Sequence, residues 1–201
     1  LSAIDNFHVS QVEVPDPPAD GSDPGRTKFV PQLDPVEIAR IRLNSDLPTT
    51  SLLLRNATFT ADGTRLYVAL NGGSGVAVID AVALQEIDAD PNTFGVQYIK
   101  LPGGSRPFDL AAEPGGRYLY VSDEANPAVY VIDIDPFSKT FNQHVLTIPV
   151  GPATLNLRGI ALNSDGSMLF ATAPGQTLFG AYGDTTGSLI LIQTNADTRQ
   201  A

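Results

Sequence analysis

One pattern occurs three times along this chain, and it restricts the possible folds more than any other feature. The first copy runs from Ala57 through Asp62-Gly63 to Leu66-Tyr67-Val68 and then to Val76-Ala77-Val78-Ile79-Asp80. The second runs from Leu110 through Gly115-Gly116 to Leu119-Tyr120-Val121 and Val129-Tyr130-Val131-Ile132-Asp133. The third runs from Ile160 through Asp165-Gly166 to Leu169-Phe170-Ala171 and Leu189-Ile190-Leu191-Ile192-Gln193. The equivalent turn positions 62, 115 and 165 lie 53 and 50 residues apart. Such a period belongs to propeller blades or stacked arrays, in which each unit buries its apolar faces against its neighbours. Within a copy the apolar residues alternate with period two in short runs bounded by Asp-Gly or Gly-Gly, the signature of antiparallel strands joined by tight turns.

The first copy reads as strands a to d at 56–60, 66–70, 76–80 and 96–101, and the second at 108–112, 118–122, 129–133 and 143–148. The third supplies 158–162, 168–172 and 188–192 but no strand d. Upstream, 10–14 reads as strand c and 36–43 as strand d of an earlier blade. Between them, 15–35 is rich in proline and reads as an insertion loop, since proline is a poor central-strand residue. The expected organisation is a partial blade at 1–55, blades at 56–106 and 107–157, and a partial blade at 158–201 with a long b–c loop, all in one continuous domain. The fold class is therefore all-β, with propeller blades of four antiparallel strands in an incomplete propeller of about three blades. Closed propellers need at least four blades. The chain is thus expected to be a fragment, or a subunit completed by other chains or by further segments.

Composition narrows the partners. Hydrophobic residues make up 42% and charged residues 17% of the chain, which favours a folded core over disorder. The net charge of -10, with lysine only at 28, 100 and 139, argues against nucleic acid and anionic membrane surfaces. The apolar runs are strand-sized, shorter than a membrane-spanning helix requires. The absence of cysteine removes disulfides, thiolate metal sites and cysteine nucleophiles. Few lysines, high acidity and abundant Gly and Pro lean towards an extracytoplasmic protein. No leader sequence is visible, and the chain does not begin with Met, so a processed or upstream start is expected. Asn56-Ala57-Thr58 matches a glycosylation acceptor but sits on an expected strand, so it reads as coincidence.

The departures from the repeat locate candidate site residues. From Asp165 to Gln193 there are 28 positions, against 18 from Asp62 to Asp80 and 18 from Gly115 to Asp133, so ten residues are inserted in the third b–c loop. That loop, 173–187, carries Phe179 and Tyr182, expected partner anchors. Arg106 in the d–a loop and Arg158 at the start of strand a, with Arg55 in the first copy, fall on the same face near the axis. There they would grip a carboxylate or sulfate; the plainer reading pairs them with Asp109, Asp123 and Glu124. If they bind an anion, replacing Arg106 and Arg158 by Ala is expected to abolish binding with the melting temperature nearly unchanged. The aromatic position Tyr67, Tyr120 and Phe170 reads as packing between sheets, and Asp80 and Asp133 as caps of the turns that follow them. His8 and His144 have no metal-site spacing. No cofactor is expected; Asp88, Asp90, Asp133 and Asp135 are the oxygen ligands that calcium could use, short of an EF-hand pattern.

Leu66-Tyr67-Val68, Leu119-Tyr120-Val121, Val76-Ala77-Val78-Ile79-Asp80, Val129-Tyr130-Val131-Ile132-Asp133 and Ile148-Pro149-Val150-Gly151 resemble the YVTN type of bacterial and archaeal β-propeller repeat. The resemblance spans about 56–193 and weakens in the third copy, where Gln193 replaces the Asp. It implies an extracytoplasmic binding or surface protein; similar seven-bladed propellers include lactonases and cofactor-bearing redox enzymes. The expectation is a non-enzymatic binding or surface-assembly module that contacts protein or carbohydrate. A lactonase-like propeller enzyme and a purely structural spacer are the alternatives.

Overall fold

The computed structural model describes residues 8–16, 21–22, 25–34, 40–43, 52–151, 156–174 and 187–194. The chain divides into two compact units, Leu1–Arg40 and Ile41–Ala201. Among the described residues no helix is long and apolar enough to cross a membrane.

In the first unit, β1 (His8–Pro15) pairs antiparallel with β2 (Thr27–Asp34), in a register that runs from His8 opposite Asp34 to Pro15 opposite Thr27. The expected strand at 10–14 lies within β1. Its partner comes from the proline-rich stretch read as a loop. Pro31 is tolerated because both strands of a two-stranded ribbon are edges, where a missing N–H need not break a ladder bond. The amide of Asp16 donates to the Arg26 carbonyl (2.8 Å), and Lys28 Nζ to Asp16 Oδ1 (3.0 Å), closing the ribbon's end. Of the expected strand at 36–43, 40–43 has no regular structure and 36–39 lies outside the described residues.

The second unit is a row of three antiparallel sheets. The first contains β3 (Leu54–Phe59), β4 (Arg65–Leu70), β5 (Gly75–Asp80), β6 (Gln85–Ile87) and β7 (Ile99–Lys100). The second contains β8 (Pro107–Ala112), β9 (Tyr118–Asp123), β10 (Ala128–Asp133) and β11 (Gln143–Pro149) in sequence order. The third contains β12 (Ile160–Leu162), β13 (Met168–Ala173) and β14 (Ser188–Gln193). Each a–b turn uses a glycine in the left-handed region, Gly63 at φ 71°, Gly116 at 73° and Gly166 at 73°. A side chain there would be strained, which explains the fixed repeat position.

The outer strand of the first sheet, expected at 96–101, is present there only as β7 (Ile99–Lys100), and β6 (Gln85–Ile87) precedes it on the same edge of β5. Asp80 accepts hydrogen bonds from the amides of Val82 (2.9 Å) and Ala83 (2.8 Å), so the chain reverses at once and β6 returns along β5. Residues 88–98 then leave the sheet, and β7 rejoins the same edge of β5, with Ile99 opposite Val76. The outer strand is thus a single strand interrupted by an excursion. At its return, Tyr98 lies across Gly75, where a Cβ would meet the ring at 2.1 Å.

Two cores fill the spaces between the sheets. Tyr67, Val76 and Val78 of the first sheet meet Leu119, Val121, Tyr130 and Ile132 of the second. The alternate residues of the second, Tyr120, Val129 and Val131, meet Ile160, Leu169 and Ala171 of the third. Both faces of β10 are covered, and all six of its residues are buried. Tyr67 and Tyr120 are fully buried, as their repeated place between sheets implies, whereas Phe170 is only half-buried. Phe170 lies in a row with Ala161 and Leu191 on the far face of the third sheet, where Leu189 and Leu191 are exposed.

Candidate functional site

The inner strands of the first two sheets carry the same irregularity at the same place. The β3–β4 register shifts between Leu54 and Ala57, and the β8–β9 register between Pro107 and Leu110. These breaks bracket Arg55-Asn56 and Phe108-Asp109, the equivalent positions of successive repeats, and Arg158-Gly159 occupies them just before β12. A bulge frees side chains from strict alternation and re-aims them, which is why bulges recur beside sites. Here the first bulged position forms a row: the guanidinium carbons of Arg55 and Arg158 lie 5.5 and 4.6 Å from the centre of the Phe108 ring. Both are within cation–π range.

The second bulged position ties the sheets together. Asp109 Oδ1 accepts from Asn56 Nδ2 (2.9 Å) and Oδ2 from the Ile160 amide (2.9 Å), so one carboxylate links three repeats. The Asp109 amide donates to Ser122 Oγ (3.0 Å), and that hydroxyl donates to the Arg158 carbonyl (2.6 Å). The side-chain amide of Asn56 is thus engaged between the sheets.

Glu124, one residue past β9, is the centre of the cluster. Its carboxylate accepts from Asn71 Nδ2 (3.0 Å) and pairs with Arg106 Nη2 at 3.4 Å, Arg55 Nη2 at 3.6 Å and, most closely, Arg158 Nη1. The Glu124 side chain is only 8% exposed, while those of Arg55, Arg106 and Arg158 are 40%, 53% and 40% exposed. Burial alone would raise the carboxyl's pKa; the Asn71 hydrogen bond and the charges of Arg158 and Arg106 outweigh it and hold the group below its ordinary value. Asn71 occupies in the first repeat the place of Glu124 in the second, and its Oδ1 accepts from Arg106 Nε (3.4 Å).

The loop bearing Arg106 is fixed by buried Asp123. Its Oδ1 accepts the amides of Arg106 (3.0 Å) and Ala125 (2.7 Å), and its Oδ2 accepts Asn126 Nδ2 and the Tyr130 hydroxyl, both at 2.7 Å. Burial, then the hydrogen bond to Asp123, raises the Tyr130 pKa and keeps the phenol protonated. The carboxylates weighed as arginine partners therefore divide the work: Glu124 takes the guanidiniums, Asp123 the backbone, and Asp109 the neighbouring repeats. Each guanidinium has five N–H donors and Glu124 two oxygens, so donors remain at the exposed surface of the cluster for a second anion.

Of the residues the sequence singled out, Arg106, Arg158 and Arg55 come together; Phe179 and Tyr182 lie outside the described residues. Sequence reading named Glu124 only as a possible partner and missed Phe108 and Asn71. Aligning the repeats at positions 55, 108 and 158, and at 71 and 124, is the signal that would have found them. The carboxylates considered for calcium hold turns: Asp88 Oδ1 accepts from the amides of Asp90 and Gln97 (both 3.0 Å), and Asp133 Oδ2 from Thr140 Oγ1 (2.6 Å). Among the described residues no group of three or more His, Cys, Asp or Glu side chains is placed to hold a metal. His144 packs edge-on against Tyr130 at 5.6 Å, and its Nε2 lies 2.9 Å from Thr147 Oγ1.

No protein-family model matches the chain, and no curated protein matches its sequence. Solved structures do. A protein from Lactobacillus plantarum is 19% identical over 96% of this chain and 50% of its own, with a TM-score of 0.56. A putative 6-phosphogluconolactonase from Bacteroides uniformis is 14% identical over 95% of this chain and 50% of its own, with a TM-score of 0.55. Hydrazine synthase from Kuenenia stuttgartiensis is 21% identical over 80% of this chain and 36% of its own, with a TM-score of 0.52. The chain spans half or less of the length of each. At these identities the likeness concerns the fold, which is all-β and a partial β-propeller.

Proposed function

We propose that this part of a β-propeller is a non-enzymatic, extracytoplasmic binding or assembly module of the YVTN type, and that its contact face is the arginine cluster around Glu124. The observation that carries the proposal is the arrangement of three part-exposed guanidiniums, from three repeats, around one nearly buried carboxylate. The repeated Leu-Tyr-Val and Val-x-Val-Ile-Asp segments support the YVTN assignment, and the lysine-poor, acidic composition supports export. The partner is a protein or carbohydrate that presents a carboxylate or sulfate. Other chains or further segments complete the propeller against the far face of the third sheet.

A lactonase-like enzyme is the weaker reading. General acid catalysis needs a carboxyl whose pKa is raised towards neutrality, and the arginines act on Glu124 in the opposite direction. The test is titration of the protein with inorganic sulfate and with galacturonate, followed by calorimetry. Saturable binding that Arg106→Ala weakens at least about tenfold, with Arg106→Lys intermediate, is expected, since a bidentate guanidinium is not replaced by an ammonium. Absence of binding, equal binding by Arg106→Ala, or hydrolysis of a sugar lactone would overturn it.

A further inference from the structure

We infer that the outer edge of β14 takes up an extended segment of a partner protein as the fourth strand of the third sheet, antiparallel to β14 and apolar at alternate positions. The ladder fixes which main-chain groups are available for it. The Thr194 amide donates to the Ser167 carbonyl (2.9 Å), and the same register sets Ile192 opposite Leu169 and Ile190 opposite Ala171. Hydrogen-bonded pairs alternate along an antiparallel ladder, so Ile190 and Ile192 turn their N–H and C=O groups to β13, while Leu189, Leu191 and Gln193 turn theirs outwards. No strand pairs with that edge among the described residues. In the first two sheets the equivalent strands are paired there, β5 with β6 and β7, and β10 with β11. Edge strands are ordinarily blunted by charge, proline or a bulge, and Ser188-Leu189-Ile190-Leu191-Ile192-Gln193 has none of these.

The side chains beside this edge specify the occupant further. A slot of about 150 Å³ lies between Leu146 and Ile148 of β11 and Ile192 of β14. Residues directly opposite one another share a face of the sheet, so the incoming residue opposite Ile192 is the one aimed at the slot. Its equivalent in the second sheet is His144, opposite Ile132, which packs edge-on against Tyr130. On the other face Leu189 and Leu191 are exposed, and their equivalents Val129 and Val131 are opposite Ile148 and Leu146 of β11. Apolar partner residues at those two places extend the row of leucines, and an uncharged one fits the slot, where a charge would be desolvated without a partner. The sequence after β14, from Asn195 to Ala201, contains no large apolar residue and does not supply this pattern. A strand offers N–H and C=O groups at the spacing of β14, which selects a polypeptide over an oligosaccharide.

The experiment titrates the 201-residue protein with a synthetic peptide of the β11 sequence, Gln143–Pro149, and follows the amides by NMR. Saturable binding is expected, with hydrogen exchange slowed at Leu189, Leu191 and Gln193 and little changed at Ile190 and Ile192, which β13 already protects. The Val150 amide donates to the Pro127 carbonyl (2.8 Å), which makes Leu146 and Ile148 the residues whose main chain bonds to β10. N-methylation of the peptide at Leu146 should therefore weaken binding about tenfold, through the loss of one ladder bond, whereas N-methylation at Thr147, whose amide points away, should not. His144→Asp in the peptide should weaken binding by about the same factor. These comparisons need no variant of the protein. Arg106→Ala in the protein should leave peptide binding unchanged, so failure here and failure of the arginine cluster are distinguishable. Absence of binding, equal effects of the two N-methyl groups, protection that excludes Leu189 and Leu191, or a protein already dimeric through β14 would overturn the inference.

Discussion

At the residue scale, Glu124 decides how the arginines should be tested. The sequence alone suggested that Arg106 and Arg158 could be replaced together at little cost in stability. The structure corrects this, because their common carboxylate is nearly buried and would be left with Asn71 and the more distant Arg55. Removing partners from a buried charge costs more than removing an exposed pair. Discounted for the exposure of the guanidiniums, Arg106→Ala/Arg158→Ala should lose about 1–2 kcal/mol. The loss depends on pH in a defined direction. A carboxyl held below its ordinary value of 4.5 contributes stability that is complete above that value and disappears as pH falls through its lower folded value. Melting temperatures of wild type and the double variant should therefore differ at pH 7 and converge as the medium is acidified through the carboxylate range. Parallel curves at all pH values would show that Glu124 is not the linkage. The position of Glu124 in the repeat was legible from its equivalence to Asn71. Its burial was not, since an Asp-Glu pair leaving a strand reads as a solvated turn.

At the element scale, the strands that read clearly are those whose alternate residues enter two different cores. The β9 strand sends Leu119 and Val121 one way and Tyr120 the other, so period two is imposed by two neighbours at once. The strand β6 has no such imprint: Gln85-Glu86-Ile87 pairs along only half of β5, and no alternation can develop in three residues. The strand β2 was hidden by Pro31, which excludes a central strand but not a ribbon edge. The same contrast predicts unequal costs at one repeat position. Tyr120→Ala, in a fully covered place, should destabilise by about 3–5 kcal/mol, as large aromatic truncations in cores do. Phe170→Ala, on the open face, should cost less than half of that. Chemical denaturation of the two variants compares them directly, and equal losses would mean that the far face of the third sheet is covered in solution.

At the scale of the whole molecule, the third sheet of the second unit has an open apolar face among the described residues. The third sheet lacks an outer fourth strand among the described residues, and its far face presents Leu189 and Leu191 beside Phe170. An interior sheet would bury that row, as the second sheet buries Tyr120. The expected behaviour of the chain alone is binding of anilinonaphthalene sulfonate at this face. Leu189→Asp/Leu191→Asp should lower the dye signal while the arginine cluster still binds its anion; an unchanged signal would place the open apolar surface elsewhere. The propeller character was legible in the spacing of the repeats. The extent of the missing part was not, because each blade specifies its neighbours and carries no record of how many there are.

The interrupted outer strand gives the molecule a different kind of value. Its excursion leaves after Ile87 and returns before Ile99, and its base is closed by the Ala89–Gln97 hydrogen bond and by Asp88, which accepts the amides of Asp90 and Gln97. The ladder on either side is complete without what lies between, so evolution or an engineer can exchange the tip while the sheet beneath it stays the same. The segment from Pro91 to Val96 is thus a natural graft site, a socket whose rim belongs to the scaffold and whose contents do not.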